Sequence, residues 1–341
     1  MKKKIIIASS IIVILSIIIS GIWLYDCIYG KDFKNTETVY IYLDNDDNID
    51  SVRTKLFSIT ESKNHTGFNI IVKHYKLKGN IPTGRYAVNP NDGMTDIVRR
   101  IKVKAQTPIR IVIPSVRTTT ELAARINGKL MIDSATIARA FSDSTICEEL
   151  GYTTETVIAL FLPDTYELWW DCTLEAFIKR IKNEHNAFWN KDRTEKAKRL
   201  GLSKMEVATL ASIVDEETAN NSEKPDIAGL YINRLKKGMP LQSDPTVKFA
   251  MKDFKLRRIL YKHLETDSPY NTYKNPGLPP GPIRIPSKVG IEAVLNYRKH
   301  SYLYMCAKED FSGTHNFATT YAQHRANAKR YTDALNKRGI K

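Results

Sequence analysis

From Ile5 to Tyr25 the chain carries no charged residue, and Lys2, Lys3 and Lys4 stand directly before that run. A stretch of about 20 apolar residues is long enough to cross a bilayer as a helix. No other stretch limits the architecture so tightly. A cleaved signal peptide is the competing reading, but its apolar core is shorter and ends at a small-x-small site. No convincing site of that kind stands here. Trp23 and Tyr25 stand where interfacial aromatic anchors stand. The three lysines keep the N-terminus in the cytoplasm. A single-pass protein of the cytoplasmic (inner) membrane is therefore expected, with everything after Asp26 on the periplasmic or extracytoplasmic side. Cys27 has no small-residue lipobox before it and reads as a juxtamembrane thiol.

The full length of 341 residues is too great for one small domain and suits two or three segments. A hydrophobic content of 42% with 26% charged residues is ordinary for a globular chain. The net charge of +15 invites a nucleic-acid reading, but neither a recognisable module nor a basic stripe with interleaved aromatics is present. An anionic membrane face or an acidic extracellular polymer would suit the charge, and a basic solvated surface explains it equally well. The four cysteines form no CxxC pair and no metal-ligand spacing, so no metal site is expected. A Cys147–Cys172 bridge stays open.

The punctuation of the chain divides it. Gly30 to Thr38 reads as a linker, Val39 to Leu43 as a strand, Asn48 to Thr60 as a helix and Phe68 to Tyr75 as a strand. Gly84 to Val88 reads as a strand, then come an Asn/Asp/Gly turn and a helix from Thr95 to Lys102. Thr107 to Pro114, a strand with proline near each end, opens the larger part. Helices are expected at Thr118–Leu130, Asp133–Phe141 and Leu174–Phe188, and Pro163 keeps Phe161–Tyr166 extended. Ser301 to Tyr304 reads as a strand. The last helix, Tyr321 to Lys337, is basic on its outer side and covers the sheet. The fold class is α+β: a transmembrane helix, a small α/β unit and a mixed α+β domain.

The chemistry concentrates between Ser203 and Thr246. Ser203 with Glu206 three residues on is a capping box. Val207, Leu210, Ala211 and Val214 then mark one helix face, and the next turn of that face reaches Glu217 and Thr218. Asp215 and Glu216 fall off the stripe, so their substitution is expected to cost little. A carboxyl group part-buried among apolar side chains has its charged form disfavoured, so its pKa rises toward that of a general acid working near neutrality. A structural salt bridge at a helix end is the bland alternative, since such ion pairs also perturb pKa values.

The motifs on either side narrow the choice. Ala211-Ser-Ile-Val, Glu217-Thr218, Ile232-Asn-Arg-Leu235 and Leu241-Gln-Ser-Asp-Pro-Thr-Val247 stand in that order, with Phe161–Tyr166 (FLPDTY) before them and Tyr270–Tyr273 (YNTY) after. This set resembles the MltG (YceG-like) family of endolytic murein transglycosylases, over roughly the C-terminal two thirds of the chain. The resemblance implies that Glu217, directly before the threonine, is the catalytic acid/base. The family often has Glu where this chain has Asp215, and the shorter acid there speaks against position 215. The strand-turn-helix unit around Gly84 resembles the family's LysM-like region. That implies GlcNAc-glycan binding, against which a membrane-proximal spacer is an equal alternative. The expected divisions are 1–29, an anchor; 37–105, a LysM-like unit; and 106–341, a YceG-like catalytic domain.

Around Glu217, the residues expected to bind substrate are Arg234, Gln242, Asp244, Thr246, Asn271, Tyr273 and Asn316. Their amide, carboxylate, guanidinium and phenol groups, with the rigid Gly277–Pro282 segment as a wall, are what a sugar cleft uses. Gln242, Asp244 and Thr246 are expected in a loop stiffened by Pro245. His315 reads as a histidine hydrogen-bonded to a loop, with a second catalytic base as the alternative. The implied activity is cleavage of the MurNAc–GlcNAc bond of nascent strands to leave 1,6-anhydro ends, terminating elongation. It needs one acid/base and no cofactor. The implied partners are peptidoglycan strands, the cell membrane and peptidoglycan synthases, with no nucleic acid. The alternatives are a hydrolytic muramidase, in which Asp244 would be the second acid, and a catalytically silent glycan-binding scaffold.

Overall fold

The structure is a computed structural model that describes residues 2–256 and 258–339. Two compact units make it up. The first runs to Ile111 and takes in two short later segments, 128–132 and 167–173. The second holds 112–127, 133–166 and everything from Leu174 onward.

The first unit starts with α1, Lys2–Tyr29. From Lys3 to Tyr29 this helix is long and apolar enough to cross a membrane, with a hydropathy of 2.8. Its last turn is held rather than free: Asn64 Nδ2 donates to the Cys27 carbonyl at 2.9 Å, and Thr95 Oγ1 to that of Ile28 at 2.7 Å. Beyond it the order is β1 (Val39–Leu43), α2 (Ile49–Thr60), α3 (His65–His74), β2 (Gly84–Val88) and α4 (Met94–Lys102). β1 and β2 pair antiparallel with Ile41 opposite Tyr86. Their inward residues, Ile41, Leu43, Tyr86 and Val88, close a core with Leu56, Phe68, Ile71, Ile97 and Ile101. The segment at 167–173 belongs here because Asp171 accepts from Thr83 Oγ1 and Gln106 Nε2.

One expected strand, Phe68 to Tyr75, is helix α3. The Asn64 side chain accepts from Gly67 N and starts it. Phe68, Ile71 and Val72 bury together at helical spacing. The run FNIIVKHY satisfies both a period of two and one of 3.6, and packing against α1 and α4 selects the second.

The boundary between the units falls within β3 (Ile109–Ile113) and β4 (Asp164–Leu168). The second unit is built on helices α5 (Thr119–Ile126), α6 (Ser134–Ala140), α7 (Ser144–Glu149), α8 (Leu174–Phe188), α9 (Lys191–Leu200), α10 (Lys204–Glu217) and α11 (Lys224–Lys236). Then come α12 (Asp244–Met251), α13 (Tyr261–Leu264), α14 (Lys288–Leu295), the antiparallel pair β5 (Tyr304–Ala307) and β6 (His315–Ala318), and α15 (Tyr321–Lys337). α5 is shorter than expected, because Asn127 leaves the helix and Gly128 takes φ 70°. β5 starts at Tyr304, the last residue of the expected strand.

α10 is the central helix of this unit, packed by α9, α11, α12 and α14. Every residue from Val207 to Val214 is buried, so the helix is buried all round and not on one stripe. Ser212 in that stretch is polar and satisfied: its Oγ donates to Thr209 O and accepts from Ile283 N. That bond pins the end of the proline-rich 277–282 segment to the helix. α14 crosses closely at Gly290, where a Cβ would lie 2.6 Å from Asp215 Oδ1. All four cysteines, Cys147 and Cys172 included, are free thiols.

Candidate active site

Helix α10 ends in three successive acids, and each meets a different environment. The Asp215 carboxylate is buried; it takes Lys224 Nζ at 2.7 Å, Ser287 Oγ at 2.8 Å and Ser287 N at 2.6 Å. Glu216 is clamped by Arg117, whose Nη2 reaches both its oxygens at 2.8 and 2.9 Å, and by Arg284 at 2.8 Å. Glu217 opens onto a cavity of about 220 Å³. There Tyr231 OH donates to Glu217 Oε1 at 2.6 Å and Ser243 Oγ to the same oxygen at 2.5 Å. No donor among the described residues engages Oε2.

Burial raises the pKa of Glu217, and the neighbouring Asp244 charge adds to it; the hydroxyls of Ser243 and Tyr231 and the charge of His315 act in the opposite sense. Burial likewise pushes the Tyr231 phenol well up, with the Glu217 charge adding to it. Tyr231 therefore stays a donor. The site thus holds a carboxyl group inclined to keep its proton, fixed through one oxygen and open at the other. This is the arrangement of a general acid/base.

Of the residues selected from sequence, Arg234, Gln242, Asp244 and Tyr273 share the cavity wall with Glu217. Arg234 sits on α11, 6% exposed, and spends its donors on carbonyls: Nε on Leu303, Nη1 on Pro240 and Leu241. It also reaches Gln242 Oε1 at 3.2 Å. The guanidinium thus ties the 240–242 segment to the residue just before β5. Gln242 adopts φ 53°, a left-handed conformation unusual for a side chain with a Cβ. Tyr273 OH donates to Asp244 Oδ1 at 2.6 Å; burial and that carboxylate push its phenol pKa up.

Three of the residues expected to bind substrate lie away from the cavity wall. Thr246 is fully buried and bonds Ser243 O and Thr272 Oγ1, which sets the turn presenting Ser243. Asn271 is fully buried and serves the backbone, donating to Leu264 O and Thr266 O and accepting from Tyr273 N. Asn316 bonds Glu309 Oε2 at 2.6 Å; strand alternation on β6 places its side chain opposite that of His315. Nor is Asp244–Thr246 a loop: it is the first turn of α12. Pro245 is at home there because the first turn needs no N–H from it.

Tyr231, Ser243 and Glu223 are not singled out by the sequence pattern. Tyr231 lies on the apolar face of α11, and only its hydroxyl tip is polar. Ser243 lies inside the LQSDPT motif, which is itself the available signal. His315 lines the cavity, with Nδ1 2.9 Å from Oε2 of Glu223 and its backbone N donating to Oε1 at 2.7 Å. It is hydrogen-bonded as expected, and it also faces the site.

A hydroxyl-braced cavity around a proton-holding carboxyl group is a site suited to acid/base chemistry. The YceG-like family matches residues 41–330, and the chain belongs to that family. It is 30% identical to the endolytic murein transglycosylase of Bacillus subtilis (strain 168), over 94% of this chain and 93% of that protein. The endolytic murein transglycosylase of Streptococcus pneumoniae serotype 2 (strain D39 / NCTC 7466) is 36% identical over 154 residues, which are 42% of this chain and 27% of that one. The crystal structure of a YceG-like protein from Listeria monocytogenes superposes with a TM-score of 0.57 at 28% identity, covering 86% of this chain and 99% of that one.

Proposed function

We propose that the chain is a membrane-anchored lytic transglycosylase that cleaves the MurNAc–GlcNAc bond within peptidoglycan strands and leaves 1,6-anhydro-MurNAc ends. One observation carries the reading: the half-buried carboxyl of Glu217 lines an open cavity and is braced at Oε1 alone, by Tyr231 and Ser243. The names borne by its relatives agree with it.

In this reading the Oε2 proton passes to the oxygen between MurNAc and GlcNAc as the bond to the MurNAc anomeric carbon breaks, and GlcNAc departs as an alcohol. The carboxylate left behind then takes the proton of the MurNAc C6 hydroxyl, whose oxygen closes on that carbon. Glu217 ends the cycle protonated and no water is consumed. The attack is intramolecular, which supplies much of the acceleration once the sugar is held. Arg234 holds the cavity wall, Asn271 and Thr246 shape the loops beneath it, and Gln242, Asp244 and Tyr273 meet the sugar. Asp244 lines the same cavity, so a hydrolytic muramidase using it as second acid is the second reading.

The proposal extends to placement. α1 anchors the protein in the cytoplasmic membrane with the catalytic unit outside, beside nascent strands and the synthases that make them. The 37–105 stretch serves as a LysM-like unit that keeps glycan near the bilayer, and residues from 106 onward form the catalytic domain. Mass spectrometry of peptidoglycan digested by the purified protein separates the readings. Anhydro ends support the transglycosylase, new reducing ends support the hydrolase, and no new ends leave only a glycan-binding scaffold.

A further inference from the structure

Asp244 and Tyr273, hydrogen-bonded to each other, do not line the Glu217 cavity alone. They also line a second one of about 530 Å³, whose other walls come from Arg258, Ile259, Leu260, Tyr261, Lys262 and Leu264. Here the short helix α13 presents Tyr261 at 90% exposure beside Leu260 at 46%. Apolar side chains left water-facing and contiguous at the rim of a cavity are the kind of surface a ligand covers.

The turn that carries them is braced from below. His263 is buried and its Nδ1 accepts from Leu260 N at 3.1 Å. Asn271, fully buried, caps the far end by donating to the carbonyls of Leu264 and Thr266, both at 2.8 Å. The same Asn271 accepts from Tyr273 N, so one side chain fixes both the edge of the Glu217 cavity and the platform beyond it. On the preceding stretch Phe254 lies under the Arg117 guanidinium at 4.9 Å. An exposed phenol on a fixed turn, with Arg258 and Lys262 beside it, offers a flat apolar face and two cations. A sugar ring has the matching flat face, and the stem peptides of murein, or the lactyl groups where the peptide has been removed, carry the matching carboxylates.

We propose that this second cavity is a glycan subsite that holds the strand beyond the bond at Glu217, with a sugar ring on Tyr261 and carboxylates on Arg258 and Lys262. The inference rests on the reaction proposed above. It gives that reaction a reason to prefer long strands: a strand that extends into the second cavity gains the Tyr261 contact, and one too short to extend there does not.

The test compares kcat/KM on long uncrosslinked strands and on a murein tetrasaccharide, for the wild type, Tyr261→Ala and an Arg258→Ala/Lys262→Ala double variant. Loss of one stacked aromatic should lower the long-to-short ratio about ten-fold in Tyr261→Ala. The double variant should lower it too and flatten its dependence on salt. Amidase-stripped strands beside intact ones tell lactyl carboxylates from peptide carboxylates as the partners of the two cations. An unchanged ratio, or equal loss on both substrates, overturns the subsite. If the wild type yields no anhydro ends from either substrate, the assigned reaction fails instead. Strand binding to Glu217→Gln with and without Tyr261→Ala then decides the subsite, which requires weaker binding in the double variant.

Discussion

Asp215, Glu216 and Glu217 are chemically alike and adjacent, yet only Glu217 faces the cavity. The helical stripe points to Glu217 for a reason that is only partly the right one. The stretch from Val207 to Val214 does not discriminate between faces, since all of α10 is buried there. What separates the three acids is their partners, which a sequence does not display: Lys224 and Ser287 for Asp215, two arginines for Glu216, two hydroxyls for Glu217. Asp215 and Glu216 are therefore not indifferent to substitution, contrary to their position off the stripe. Asp215→Ala leaves Lys224 buried and unpaired, and removing one partner of a buried pair costs about 3–5 kcal/mol. Its thermal melt should fall by many degrees, and a wild-type melt would refute the buried-pair account. Tyr231→Phe makes a finer test. The Tyr231 hydroxyl lowers the Glu217 pKa by stabilising the carboxylate. Removing it should raise that pKa, so the loss of activity on the alkaline side should move to higher pH. A shift to lower pH in the kcat/KM profile would contradict the assigned hydrogen bond.

Helices are legible in the sequence where one period or a clear cap marks them. α8 and α15 span the residues expected of them, and Ser203 caps α10 through the box it forms with Glu206. Sequence misleads where local patterns are ambiguous and tertiary packing decides. α3 has a sequence equally fit for a strand, and α12 begins inside a motif whose proline suggests a loop. Of the cavity wall, Arg234, Gln242, Asp244 and Tyr273 are legible, because polar side chains in rigid motifs stand out. Tyr231 is not, because a tyrosine at helical spacing looks like core. α8 carries a further consequence. His185 is buried on it, its Nε2 3.3 Å from Tyr152 OH, and burial lowers its pKa to about 4. In the unfolded chain it titrates near its ordinary value, 6.5. Between those two values the unfolded state binds a proton that the folded state does not, so stability falls as pH falls from 6.5 towards 4. His185→Gln should remove that part of the acid loss, read as a smaller drop in melting temperature across the window. An identical drop in both proteins would refute it.

At the scale of the whole molecule, α1 is the one helix among the described residues long and apolar enough for a membrane, and its last turn is hydrogen-bonded to the rest of the first unit. A reporter fused after the C-terminus should be active only outside the cytoplasm; activity inside would reverse the proposed topology. The half-buried Glu217 carboxyl adds to the molecule's pH response. Glu217 has a folded-state pKa above its ordinary value of 4.5, so the stability it contributes is complete below that value and is lost as pH rises through the raised one. Glu217→Gln should therefore fold at least as well as the wild type, and gain on it as pH rises. The same change removes the group that makes both proton transfers of the proposed reaction. General acid/base catalysis contributes about 10²–10⁴-fold, and one group performing both transfers places the loss at or beyond the upper end. The most direct measurement is release of anhydro-muropeptides from purified sacculi by wild type and Glu217→Gln, with a thermal melt of each. The account predicts a folded variant whose release is lower by about 10⁴-fold. Wild-type release from a folded Glu217→Gln protein would contradict it.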